Sequence, residues 1–182
     1  MKEIFIDFTI PNNHFFPIVS WIIRILQWKR GLRFRDVPSH VRYRWFDKYH
    51  EVWWVYEASK TSVHMSGQSQ FNNQKVLKTY KYEISPETKK DFVRYVNENV
   101  NKSYGFLQLI GLIFVVVFKR VGLKVSNPFA DGNYTEVCVE TVARGLKDVI
   151  SKSKVFKNVK FDSIDLCDLM NLILCDKLKG EK

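Results

Sequence analysis

An α+β fold is predicted for this chain of 182 residues, on three observations. Some segments alternate apolar and polar side chains, the period of a half-buried strand. Others repeat apolar residues every three or four positions, the period of a helix against a core. The two kinds do not alternate as βαβ units, so an antiparallel sheet packed against helices is expected.

Residues 2–10 alternate, with Ile4, Ile6, Phe8 and Ile10 on one side and Glu3, Phe5, Asp7 and Thr9 on the other. They read as a strand in which Phe5 is the one apolar residue on the polar side. Residues 11–13 close it. Residues 17–30 read as a helix, with Pro17 near the first turn, Val19, Ile22, Ile23, Leu26 and Gln27 along one side, and Gly31 as the stop. Trp21 and Trp28 belong to it as packing residues. After a loop at 33–38, residues 39–45 and 52–58 are rich in β-favouring side chains and form a hairpin around a polar connection at 46–51. Residues 59–73 form a polar loop with a short strand near Val63-His64-Met65. Residues 75–84 form another strand. Ser85 as N-cap, Pro86 at the first position and Glu87 against the dipole open a helix that runs to about Asn101, with Phe92, Tyr95, Val96 and Val100 inward. A turn at 102–105 leads into an apolar helix that ends near Leu123. The loop 125–133, with a turn at Asp131-Gly132-Asn133, delivers a helix near Cys138. A weak strand at 155–161 precedes a last helix, opened by Ser163, with an apolar stripe of Leu166, Met170, Leu174 and Leu178.

A hydrophobic fraction of 46%, 15% aromatic residues and no internal repeat suit one domain over residues 1–182 and exclude disorder. The net charge of +10 points to anionic partners, yet no long basic run is present, and solubility accounts for most of the lysines. Trp45, Trp53 and Trp54 interleave with arginines as in single-strand binders, but a packed hairpin explains them equally well, so no specific nucleic-acid binding is expected. The three cysteines, at 138, 167 and 175, are an odd number. Cys167 and Cys175 lie too far apart on one helix to bond to each other, which favours a reducing compartment. No metal-ligand spacing and no glycine-rich phosphate loop appears, so neither a metal nor a cofactor is expected. Residues 1–10 do not read as a leader, and the apolar run 109–118 is too short to span a bilayer and reads as a buried helix.

Cys138 is expected in the first turn of its helix, where unpaired N–H groups and the positive end of the dipole favour a thiolate and can receive an oxyanion. The alternative is a small buried residue on a helix face. A thiol nucleophile needs a base, and the base needs an orienting group. Of the four histidines, His14 lies in an N-terminal loop, His50 in the hairpin connection, and His64 follows the second hairpin strand as a further orienting group. If facing hairpin residues have numbers summing to about 97, His40 lies opposite Glu57 with Cβ atoms about 5 Å apart. A carboxylate at that distance can orient an imidazole.

The order Ser39-His40-Val41, Val55-Tyr56-Glu57-Ala58, Tyr104-Gly105-Phe106 and Cys138-Val139-Glu140 resembles the circularly permuted papain-like hydrolases. These are YiiX-type relatives of the NlpC-like cell-wall peptidases and of lecithin–retinol acyltransferase. The resemblance implies a permuted papain-like fold in which Cys138 is the nucleophile, His40 the general base, Glu57 the orienting residue and Glu140 a helix-side support. The function it implies is thiol-dependent hydrolysis, peptidase- or amidase-like, of an amide or ester acyl group in a peptide, peptidoglycan or acyl-ester substrate. Arg42 and Arg44, with Arg33 and Arg35, are read as a substrate-binding basic rim suited to carboxylates or a phospholipid head group; a solvated sheet face is the alternative. Two other functions fit the same residues. One is a non-catalytic structural or assembly protein of a bacteriophage, since the family has many viral members. The other is an acyltransferase or phospholipase at a membrane surface, using residues 106–118 and the positive charge. The cytoplasm, of the host cell for a viral protein, or the virion is the expected location.

Overall fold

Strand β1 (Glu3–Pro11) sits inside a seven-stranded sheet, flanked by β2 (His40–Asp47) on one side and β5 (Gln74–Glu83) on the other. The computed structural model describes residues 1–11, 17–28, 33–59, 62–71, 74–129, 135–151, 154–157, 159 and 164–180. Beyond β2 the sheet continues through β3 (Val52–Ser59), β4 (Ser62–Gly67), β6 (Ser103–Tyr104) and β7 (Thr135–Glu136). Six strands, from β5 to β6, pair antiparallel, and β7 joins β6 in parallel. The helices among the described residues are α1 (Pro17–Trp28), α2 (Pro86–Asn99), α3 (Phe106–Arg120), α4 (Cys138–Gly145), the single turn α5 (Lys154–Lys157) and α6 (Leu166–Gly180). The chain is therefore mixed α and β, with its antiparallel strands gathered into one sheet.

Alternation sorts the sheet into two faces. Ile4, Ile6 and Phe8 of β1 join Val41, Tyr43 and Trp45 of β2 and Tyr56 and Ala58 of β3 in the core. Phe92 of α2 meets the rings of Tyr43 and Trp45 edge-on. Helix α4 lies against the same strands, and the Tyr43 hydroxyl donates to the Val142 carbonyl at 2.6 Å. Gly145 permits this approach: a Cβ there would sit 2.6 Å from the Tyr43 oxygen. That is why a glycine sits inside the helical pattern.

The opposite face is polar but dry. Asp7 stands across from Arg42 and accepts hydrogen bonds from Arg44 Nε at 2.7 Å and from Thr79 at 2.8 Å. Asp7, Thr9, Arg42 and Glu57 are all buried. Phe5, the apolar residue on this side, packs edge-on to Trp53 beneath the Arg44 guanidinium. Trp45 and Trp53 thus serve packing, as the hairpin reading allowed.

Local signals held where they were strong. The Ser85 hydroxyl accepts from Thr88 N–H with Pro86 in the first turn of α2. Five expectations are corrected. The hairpin pairs Tyr43 with Tyr56 and Arg44 with Val55, so one further step sets Arg42, and not His40, across from Glu57. The cause is the turn: β2 runs on to Asp47, whose carboxylate accepts from Tyr49 N–H, and Glu51 takes a left-handed φ of 54° to close it. Residues 62–67 form a full strand paired with β3, not a loop with a fragment. Residues 154–157, within the stretch read as a strand, form a helical turn. The buried side of α6 runs through Leu166, Leu169 and Ile173, while Leu174 is exposed. Helix α3 is buried only along Gln108, Gly111, Leu112, Val115 and Val116; its other side faces solvent. His14, Gly31, the turn at 131–133 and Ser163 lie outside the described residues.

Candidate active site

Three segments converge at one end of the sheet. The first is the start of β2. Helix α1 fixes it: Arg24 donates to the carbonyls of Phe34 at 2.8 Å and Val37 at 3.2 Å, and the Ser20 and Ser39 hydroxyls lie 2.6 Å apart. His40 follows directly. The second is the end of β3, which carries Glu57. The third is the junction of β7 and α4. The parallel pairing of Ser103 with Thr135 and of Tyr104 with Glu136 holds it to the sheet edge. Val137 is extended at φ −105°, and the helix begins at Cys138. Thr141 N–H is the first to bond back, to the Val137 carbonyl at 3.0 Å, so the amides of Cys138, Val139 and Glu140 precede that bond. Such first-turn amides favour negative charge.

His40 Nε2 donates to Glu57 Oε2 at 2.8 Å, with the two side chains 8% and 1% exposed. The Cys138 side chain lines the same cavity as this imidazole and is near enough to favour its charged form. With Nε2 engaged by Glu57, Nδ1 is the ring nitrogen left for the sulfur. The predicted thiol, imidazole and carboxylate are thus neighbours, although His40 reaches Glu57 diagonally along the strand pair and not straight across. Glu57 is a hub: it also accepts from Ser59 Oγ at 3.1 Å and from Gln74 Nε2 at 3.3 Å, and His64 Nε2 stands 3.6 Å from its other oxygen. Gln74 is itself fixed, since its carbonyl oxygen accepts from Thr9 at 2.8 Å.

Charge reinforces the arrangement. Burial alone disfavours the charged imidazole, but the Glu57 carboxylate and then a Cys138 thiolate outweigh it and raise His40 from 6.5 to about 10. Burial likewise disfavours ionised Glu57, yet His40, then Arg42 and His64, draw it down from 4.5 to about 2. Tyr104 faces the site as a neutral phenol: burial and the nearby charges of Cys138, Glu140 and Glu57 push its ionisation well up.

A cavity of about 540 Å³, its open mouth included, ends at Ser39, His40, Tyr104 and Cys138. Its walls are mostly aliphatic, built from Ile23 and Leu26 of α1 and Leu109, Leu112, Ile113 and Val116 of α3, with Gln27 and Asp165 also in the lining.

Arg42 and Arg44 do not line it. Arg42 is 2% exposed, its Nε 3.7 Å from Asp7, and Arg44 is tied to Asp7 further along the strand, so the basic rim assigned to them is corrected to a buried charge row. Arg35 is exposed beside Asp36, and His50 pairs with Asp47 in the hairpin turn. Sequence reasoning named Tyr104 only as part of a turn and missed Gln74 and Ser59. Ser59 is two residues from Glu57 and on the same side of β3, so the strand period could have found it. Gln74 depends on how β5 docks, which nothing local encodes. Among the described residues, no group of three or more His, Cys, Asp or Glu side chains could hold a metal ion. Likewise no helix among them is long and apolar enough to cross a membrane. All three cysteines are free thiols. Comparison with protein families, curated proteins and solved structures finds no match.

Proposed function

We propose that this protein is a thiol-dependent hydrolase that cleaves an amide or ester acyl group, on a permuted papain-like arrangement in which the histidine strand precedes the cysteine helix. The observation that carries the reading is the continuous line from Cys138 through His40 to Glu57, with Glu57 held by three further side chains. A cysteine that merely filled the core would not need a histidine in reach whose second nitrogen is bonded to a buried carboxylate.

In this mechanism the Cys138 thiolate attacks the carbonyl carbon of R–CO–X, and the Cys138 N–H helps hold the oxyanion. The C–X bond breaks as the His40 imidazolium gives its proton to X, which leaves as HX. A thioester R–CO–S remains on Cys138. Neutral His40 then takes a proton from water, hydroxide adds to the thioester, and R–COOH departs as the thiolate–imidazolium pair is restored. Glu57 stays ionised throughout and fixes the ring. Because the acid is an imidazolium stabilised up to about 10, kcat/KM should hold through neutral pH and fall only in the alkaline range.

Alkylation by iodoacetamide, read by peptide mass spectrometry, tests the assignment. Cys138 should react faster than Cys175, although Cys175 is exposed and Cys138 is not. The His40→Ala variant should slow labelling of Cys138 by on the order of a hundredfold, and Cys138→Ala should leave no hydrolysis. Equal labelling of Cys138 with and without His40 would end the proposal.

A further inference from the structure

We propose that the outer face of α3 docks on an anionic lipid bilayer and that the cavity behind it receives the acyl chain of a lipid substrate; the second half rests on the hydrolase reading above. Phe106, Leu107, Phe114, Val117, Phe118 and Val121 are all exposed. They recur at helical spacing and, with the less exposed Ile110 and Ile113, span an arc of roughly 140°. No polar residue interrupts that arc. The polar members of α3 lie elsewhere: Gln108 is buried, and Lys119 bonds Asp168. Helix α1 packs beside α3 and exposes Trp21 and Trp28, seven residues apart and so on one side of the helix.

Two observations choose a bilayer as the occupant. The first is charge. The chain carries +10, exposed Arg120 borders the arc, and exposed Lys124 follows it. Two copies meeting on this face would bring like charges together, whereas anionic head groups attract them. An apolar stripe edged with cations and too short to span lies along a lipid surface. The second is continuity. Ile113 is half-exposed at the edge of the stripe and also lines the cavity that ends at Cys138. An acyl chain leaving the bilayer along α3 therefore meets Ile113, Leu109, Leu112 and Val116, which share the cavity lining with Cys138 and with the polar Gln27 and Asp165. The chain would be R in the cleavage above, and X, the head-group side, leaves as HX.

The test uses the full chain in two arms. In the first, it is sedimented with vesicles of phosphatidylcholine alone and of three parts phosphatidylcholine to one part phosphatidylglycerol, at low and high salt. Binding is expected on the anionic vesicles and should weaken but persist in salt. The combined variant Leu107→Ser, Phe114→Ser, Val121→Ser, confirmed folded by circular dichroism, should bind roughly tenfold less. In the second arm, p-nitrophenyl esters of increasing chain length are hydrolysed. Here kcat/KM should rise about threefold to fourfold per methylene until the cavity is full. Cys138-dependent hydrolysis that ignores chain length, with no vesicle binding, overturns this inference and leaves the hydrolase reading standing. Vesicle binding without any Cys138-dependent hydrolysis supports the docking face and overturns both the substrate assignment and the hydrolase reading. A dimer that protects Leu107 and ignores vesicles overturns the docking face.

Discussion

Two regions of this molecule invert the usual sorting of side chains, in opposite senses. Between β1, β2 and β3, the charged Asp7, Arg42, His40 and Glu57 are hidden from water. Along α3, a row of Phe, Leu and Val faces it. The first inversion is costly to folding, because each buried charge must be matched by a partner. Asp7 and Glu57 are matched, and the matching fixes where the imidazole points. The second costs the fold little, since exposed apolar side chains are common on protein surfaces. It leaves a surface that gains energy only when something covers it. Buried polarity here sets geometry, and exposed apolarity leaves a face to be covered.

The comparison can be broken first at Asp7. Asp7→Ala removes the carboxylate shared by two guanidinium groups and should cost about 3–5 kcal/mol, read from urea midpoints. A loss no larger than that of an ordinary surface substitution would mean that the row is not a coupled network. Glu57→Gln comes next. Without the carboxylate, the strongest influence opposing burial is gone and the imidazole falls below about 10. The alkaline limb of the pH–rate profile should move down with it, and kcat/KM at neutral pH should drop by on the order of a hundredfold. A protein that loses activity without that shift of the limb has lost something other than the base.

Stability against pH sharpens the contrast. His40 is raised in the folded state, so its contribution is complete below 6.5 and disappears as pH climbs through about 10. Glu57 is lowered, so its contribution is complete above 4.5 and disappears as pH falls toward about 2. Thermal melts should therefore peak between these limits, and His40→Ala should flatten the alkaline side. The smallest effect belongs to α3. Leu107 and Val121 are 62% and 70% exposed, and Leu107→Ser should change stability by no more than about 0.5 kcal/mol. A larger loss would show that this face is packed in solution.

Much of this arrangement was legible in the sequence because it is written locally. The alternation of β1, the Ser85 cap and the position of Cys138 at a helix start each depend on a few adjacent residues. The carboxylate beside His40 was found, but by a register two residues out, because hairpin register depends on turn length and Asp47 continues the strand. Burial of Arg42 could not be read, since it depends on β1 supplying Asp7 from the far side. Gln74 was invisible for the same reason: β5 pairs with β1 across 65 residues of chain. Helix α3 was read as buried because a run that is apolar all round has no period to mark its outer face. The composition carried the chemistry of that helix but not its side.

The hydrogen bond from Tyr43 to Val142 spans 99 positions, whereas His40 and Glu57 are 17 apart. During synthesis on a ribosome, the hairpin with its imidazole and carboxylate is made before the segment that carries the sulfur. Closing so long a loop comes late in folding as well. A chain made only through the hairpin thus holds a base with nothing to activate, and whatever chemistry the trio performs starts only after the segment with Cys138 has been added.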